Sequence, residues 1–295
     1  MNENENKFPD YVTFPRTFEK YKWYKPLIVM VIVAILYLIF QIILVVIFNM
    51  VYGENIINAI ANGGYETLNT SDASIYFLYL SIVIFIPAIY IASRIVRDRP
   101  FSSYASSRGG WNWKIYFKCL IVPFIIYVVY YAISLLMGNE SGGNSQVSAV
   151  AFVLSLILIP LQCIGEEYLF RGLLMQSFGS WFKIPILAII VQAIIFGLVH
   201  AYNPLGVVSI VISGVIWGVL AWRINGIEAG AAIHSINNLM SFFIVALGLS
   251  SISSNISYWD FAVDILITLL SAVAVYYVGN KMEWFDEETS ESKLI

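Results

Sequence analysis

The sequence predicts an all-α fold: a polytopic bundle of about eight transmembrane helices with the N-terminus and C-terminus both cytoplasmic. Three observations carry that prediction. The 295 residues are 59% hydrophobic and 12% charged, with a mean hydropathy of +0.78, far from the balance of a soluble chain. Apolar runs long enough to cross a ~30 Å hydrocarbon core at ~1.5 Å per residue fall at about 27–51, 75–93, 119–137, 147–165, 185–202, 205–222, 227–249 and 261–278. Threading the chain back and forth through those runs leaves all 16 Lys and Arg on one side, which the positive-inside rule makes the cytoplasm.

Residues 1–26 are polar and mixed in charge, and the run that follows is too long for a signal-peptide core and lacks a small-residue cleavage pattern. The expectation is a cytoplasmic N-terminal segment followed by a retained anchor. A single transmembrane domain then occupies 27–280. The basic clusters alternate with linkers that hold no Lys or Arg: "GENIINAIANGGYETLNTSDAS", "GNESGGNSQ", "YNP" and "SSISSNISYWD". Residues 281–295 form an acidic tail that supplies most of the net charge of −3, read as a solvated cytoplasmic end. Cys119 and Cys163 lie on different runs, which argues against a structural disulfide and a cysteine zinc site. There is no glycine-rich phosphate loop and no basic face for nucleic acid, and no internal repeat supports an inverted-repeat transporter.

Ionisable groups at membrane depth are rare and mark functional positions by default. Three polar islands interrupt the apolar runs: Glu166, Glu167 and Arg171 in "IGEEYLFRGLL"; His200 at the end of "IIFGLVH"; and His234, Asn237 and Asn238 in "AAIHSINN". The chain has only two histidines, and both are in these islands. On a helix, Glu167 and Arg171 share a face at i,i+4 in the favourable acid-first order. Glu166 points elsewhere, so the pair is expected to support the site and Glu166 to project alone. His234 and Asn238 stack at i and i+4. With a turn near residue 182, Glu166 lies 16 residues before it and His200 lies 18 after, so the two reach similar heights, ~25 Å from the turn. His234 is only ~12 Å past its own cytoplasmic turn. The three islands agree in depth only if the hairpin around residue 182 projects into the cytoplasm. Gly206, Gly214 and Gly218 are read as helix-packing residues.

A carboxylate, two imidazoles and an amide facing one cavity suit peptide-bond hydrolysis. Glu takes a proton from water as general base, while imidazole and the Asn NH₂ stabilise an oxyanion. Glu166, His200 and His234 also form a possible Zn²⁺ ligand set, and no HExxH pattern decides between the two.

"EEYLFR", "FGLVH" and "HSINN" fit EExxxR, FxxxH and HxxxN in order. Over about residues 118–250 the chain resembles the CAAX protease and bacteriocin-processing (CPBP, or Abi) family of intramembrane proteases, related to the type II CAAX prenyl endopeptidases. The resemblance implies that Glu166 with His200 activates water, that His234 and Asn238 form the oxyanion site, and that Glu167 and Arg171 support it; Asn237 is not at a motif position. It implies a peptide or membrane-protein substrate, such as a bacteriocin leader, a peptide signal or a CAAX-like protein, and leaves zinc open. The competing reading is a non-catalytic self-immunity factor or a membrane regulator of a sensor kinase on the same scaffold. A proton- or ion-coupled relay is a third. Composition favours a bacterial plasma membrane.

Overall fold

A computed structural model describes residues 8–53, 72–137, 147–250 and 254–286. Most of two of the Lys- and Arg-free linkers and the end of the acidic tail fall outside the described residues. Among those described, the chain is helical with no strand, as the hydropathy pattern predicts.

Helix α1 (Lys25–Tyr52) opens with Pro26, whose missing N–H is harmless in a first turn, and ends on Gly53 at φ 66°, the left-handed cap that glycine takes without strain. α2 (Asp72–Val83) and α3 (Phe85–Val96) form one pass. Its interruption at residue 84 precedes Pro87, which cannot donate back into the preceding turn. α4 (Trp113–Leu136) is capped by Asn112, whose side chain accepts from the Lys114 and Ile115 amides. α5 (Ala149–Glu167) is capped by Ser148 and runs on through a π-helical stretch, Tyr168–Met175, into α6 (Gln176–Phe182). α7 (Pro185–Leu198), α8 (Pro204–Ile224), α9 (Glu228–Ala246) and α10 (Tyr258–Lys281) complete the bundle.

Seven of these passes are long and apolar enough to span a membrane. The eighth predicted run, 185–202, is shorter than expected: α7 has 14 residues, or ~21 Å. Pro204 holds Asn203 extended (φ −62°, ψ 165°), as the residue before a proline must be, so the chain turns back at 199–203. His200 is thereby placed in a turn rather than on a continuing helix.

Two ends of the bundle can be told apart. At one, Ser148 meets Asp72 and the Asn203 amide donates to Ser254 at 2.9 Å. The N-terminal segment gathers at the other, where Ser107 Oγ donates to the Pro9 carbonyl at 2.7 Å and Trp222 Nε1 donates to Asp10 at 2.6 Å. Residues after the last helix arrive at that same end, with the Arg108 guanidinium 6.0 Å from the Phe285 ring centre. The first and last described residues thus lie at one end of the bundle.

The stretch from Ala149 to Phe182 is one continuous rod of 34 residues, roughly 50 Å. Its far end extends past the α8–α9 turn and is clad by other parts of the chain. Glycines permit the close approach: a Cβ on Gly172 would lie 2.6 Å from the Tyr104 carbonyl oxygen, and one on Gly179 2.3 Å from that of Val12. Tyr11 and Val12 are wholly buried there; the Tyr11 hydroxyl donates to the Tyr104 carbonyl at 2.6 Å, and Arg16 donates to the Ser180 carbonyl at 3.0 Å. Burial pushes the Tyr11 phenol well above its usual pKa. A long, clad hairpin is the shape that the depth argument calls for.

Candidate active site

Four helices bring the polar islands together: α5 with the π-helical stretch, α7, α8 and α9. Glycines on α8 set the spacing. A Cβ on Gly214 would be 3.1 Å from Ala193 Cβ, and one on Gly218 would be 3.0 Å from Gln192 Nε2. The Gly214 carbonyl accepts from both Arg171, at 3.2 Å, and Gln192, at 3.1 Å.

Glu167 and Arg171 form the expected i,i+4 pair, at 2.9 Å, with both side chains fully buried. The guanidinium lies 4.5 Å from the Phe196 ring centre and 5.4 Å from that of Trp217, so the charge is met by one carboxylate, one carbonyl and two π faces. The same Glu167 oxygen that takes Arg171 is 3.2 Å from His234 Nδ1. That contact sets the neutral imidazole as the Nδ1–H tautomer and turns Nε2 toward Glu166 and Asn238. Trp217 holds the ring flat, stacked at 4.4 Å between centroids and 25° between planes.

His234 Nε2 is the hub of the site. Glu166 Oε2 lies 3.4 Å from it and the Asn238 amide nitrogen 3.4 Å. Glu166 is 6% exposed and its Oε2 has no hydrogen-bond donor, so a buried carboxylate oxygen retains its accepting capacity beside the imidazole. Height counting alone pairs Glu166 with His200; the structure pairs it with His234. His200 packs edge-on against Phe196 at 4.8 Å, its Nδ1 2.6 Å from the Phe196 carbonyl. Phe196 also meets the His234 ring, at 6.1 Å, so the two histidines share one aromatic wall without touching Glu166 equally.

Among the described residues, no group of three or more His, Cys, Asp or Glu side chains is gathered so as to hold a metal. Glu166, His200 and His234, the possible zinc ligands, do not converge on one centre.

Several contributors escaped sequence reasoning. Trp217 reads as an ordinary apolar helix residue, and Phe196, which opens the FxxxH motif, carried no assigned role. Gln162 accepts from Asn238 at 3.3 Å, and Cys163 lies 3.4 Å from the same amide. The Arg108–Glu228 pair, 2.6 Å and buried on both sides, locks the start of α9; its signal was an acidic residue opening an apolar run. Both cysteines are free.

Comparison with known proteins places this geometry in context. Residues 147–240 match the family described as type II CAAX prenyl endopeptidase Rce1-like. That span holds all three motifs and is narrower than the 118–250 over which the sequence resembles such proteins. An uncharacterised protein, YyaK of Bacillus subtilis (strain 168), is 28% identical over 176 residues, 55% of this chain. The match spans 59% of that relative's length.

Proposed function

We propose, from the match of residues 147–240 to the type II CAAX prenyl endopeptidase Rce1-like family, that this chain is an intramembrane endopeptidase. It hydrolyses a peptide bond in a peptide or membrane-associated protein by glutamate-activated water, in the plasma membrane. The observation that carries the reading is the meeting of a carboxylate and an amide donor at one imidazole edge, each 3.4 Å from His234 Nε2.

In the proposed sequence, Glu166 accepts a proton from water as the oxygen attacks the scissile carbonyl carbon. The carbonyl π pair moves onto oxygen, where one N–H of the Asn238 NH₂ donates to it while the other donates to His234 Nε2, which orients the amide. Glu166 then delivers its proton to the departing amine as the C–N bond breaks. Glu167 supports His234 at Nδ1 and is itself neutralised by Arg171, so the catalytic carboxylate need not share that cation. His200, on the Phe196 wall, lines the approach to Glu166. No step is routed through zinc, because the three possible ligands do not share a centre.

The test is cleavage of an internally quenched farnesylated CAAX peptide, together with a survey of membrane peptides that accumulate uncleaved in cells lacking the protein. Purified Glu166→Gln, His200→Ala, His234→Ala and Asn238→Ala proteins are compared with the parent. Removal of the base is expected to cost ~10²–10⁴-fold in rate, and removal of the Asn238 donor ~10²–10³-fold with substrate binding retained. Parent-like cleavage by all four would leave the scaffold reading, a self-immunity factor or kinase regulator, in its place.

A further inference from the structure

Asn238 is useful to the proposed chemistry in only one of its two amide orientations. Its NH₂ must face His234 Nε2 and the cavity. The two ends of a carboxamide are nearly the same size, so packing does not choose between them; hydrogen-bond polarity does. In this site the polarity can be traced outward to a residue on another helix, beyond the family-matched segment.

The Asn238 carboxamide oxygen accepts from Asn237 Nδ2 at 3.1 Å. Asn237 in turn offers its own oxygen to the Tyr127 hydroxyl, which approaches from α4. On the other side, Asn238 Nδ2 faces Gln162 Oε1 at 3.3 Å and His234 Nε2 at 3.4 Å. The three carboxamides, Gln162, Asn237 and Asn238, could reverse together and keep their mutual bonds. Cys163 adds a weak bias in the middle, its thiol donating to Gln162 Oε1 at 3.4 Å, and the groups at the two ends of the chain break the symmetry more strongly. At one end, Glu167 accepts from His234 Nδ1 at 3.2 Å, leaving Nε2 to accept. At the other, the Tyr127 phenol is 4% exposed and donates to Asn237; if Asn237 reversed, the phenol would accept and its own buried proton would lose its acceptor.

We infer that Tyr127 is a positioning residue: through Asn237 it fixes the Asn238 carboxamide with its NH₂ toward His234 Nε2. The inference rests on the proposed role of Asn238, and it gives Asn237, outside the HxxxN positions, a reason to be an amide. Tyr116 provides a graded comparison: it too lies on α4 and bonds to α9, its hydroxyl 2.9 Å from Ser235 Oγ, but it reaches the amides only at one remove, through Ser235 and Cys163.

The experiment uses the full-length protein in two readouts. With only two histidines in the chain, ¹⁵N-labelled imidazoles give two sets of signals, assigned with His200→Ala. Tyr127→Phe is expected to move the His234 Nε2 signal in the same direction as Asn238→Ala, while Tyr116→Phe moves it less. On the quenched farnesylated peptide, Tyr127→Phe is expected to lower kcat roughly tenfold, the weight of one buried hydrogen bond, with KM unchanged. Added to Asn238→Ala, it costs nothing further, because both act through one amide. An unmoved Nε2 signal, or kcat losses that multiply in the double variant, would overturn the inference. Full activity in Asn238→Ala would instead remove Asn238 from the proposed oxyanion site, and the imidazole signal would still decide whether Tyr127 orients the amide.

Discussion

Glu167→Gln is the sharpest test of how the site is held. The change keeps shape and volume but removes the carboxylate that pairs with Arg171 at 2.9 Å, whose side chain is fully buried. Unpairing a buried ion by removing its partner costs about 3–5 kcal/mol. The Gly214 carbonyl at 3.2 Å and the two aromatic faces remain; cation–π contacts contribute about 0.5–2 kcal/mol, so the net loss is expected near the lower end of the range. A companion variant, Glu167→Gln with Arg171→Met, removes the stranded charge as well and is expected to recover most of the stability. It does not recover activity, since His234 Nδ1 no longer faces an anion. The assay is chemical denaturation in detergent micelles of parent, single and double variants, alongside cleavage. Parent-like stability in the single variant, or a double variant less stable than the single, would refute the ion-pair reasoning.

A cysteine at Lys20 is expected to react only from the cytoplasmic side of intact cells, and one at Tyr258, which is 84% exposed at the opposite end of the bundle, only from outside; the reverse pattern overturns the orientation. Gly179→Ala places a Cβ 2.3 Å from the Val12 carbonyl oxygen and is expected to cost about 1–3 kcal/mol and to free the N-terminal segment, read as faster labelling of a cysteine at Val12; unchanged labelling argues that the segment was never docked. Burial raises the Tyr11 phenol, so its contribution to stability is complete below the unfolded value of about 10 and fades as pH rises through the higher folded value; Val12 labelling, normalised to Lys20, that accelerated already below pH 9 would contradict this. Because Glu166, His200 and His234 do not share a centre, the purified parent is expected to bind zinc no more tightly than His200→Ala, and stoichiometric tight zinc lost in that variant would restore the three-ligand reading.

Much of the architecture was legible in the sequence, for a physical reason: a bilayer demands long apolar runs, and the charges allowed to interrupt them are few. The same scarcity exposed Glu166, Glu167, Arg171 and both histidines. The i,i+4 spacing was enough for the Glu167–Arg171 pair, which forms although Arg171 lies in the π-helical stretch. Partner choice for Glu166 was not legible, because heights counted from one turn do not say which way a ring faces across the bundle. Trp217 was invisible for the opposite reason, and Phe196 was visible only as a motif letter, since an aromatic residue inside an apolar helix carries no sign that it will face a cation. Tyr127 and Asn237 could be recognised only together, across 110 positions.

The clad hairpin has a consequence for biogenesis. The segment around Tyr11 to Trp23 leaves the ribosome first, yet the surface it covers is made much later: Arg16 waits for a partner 164 positions away and Trp23 for one 158 positions away. Contacts of such long sequence separation form late. Until then α1 is held chiefly by lipid, with few buried residues of its own, and the N-terminal segment stays open to chaperones and proteases. Closure of that segment over Gly179 is thus a late assembly step, and it requires the α5–α6 rod to be already in place.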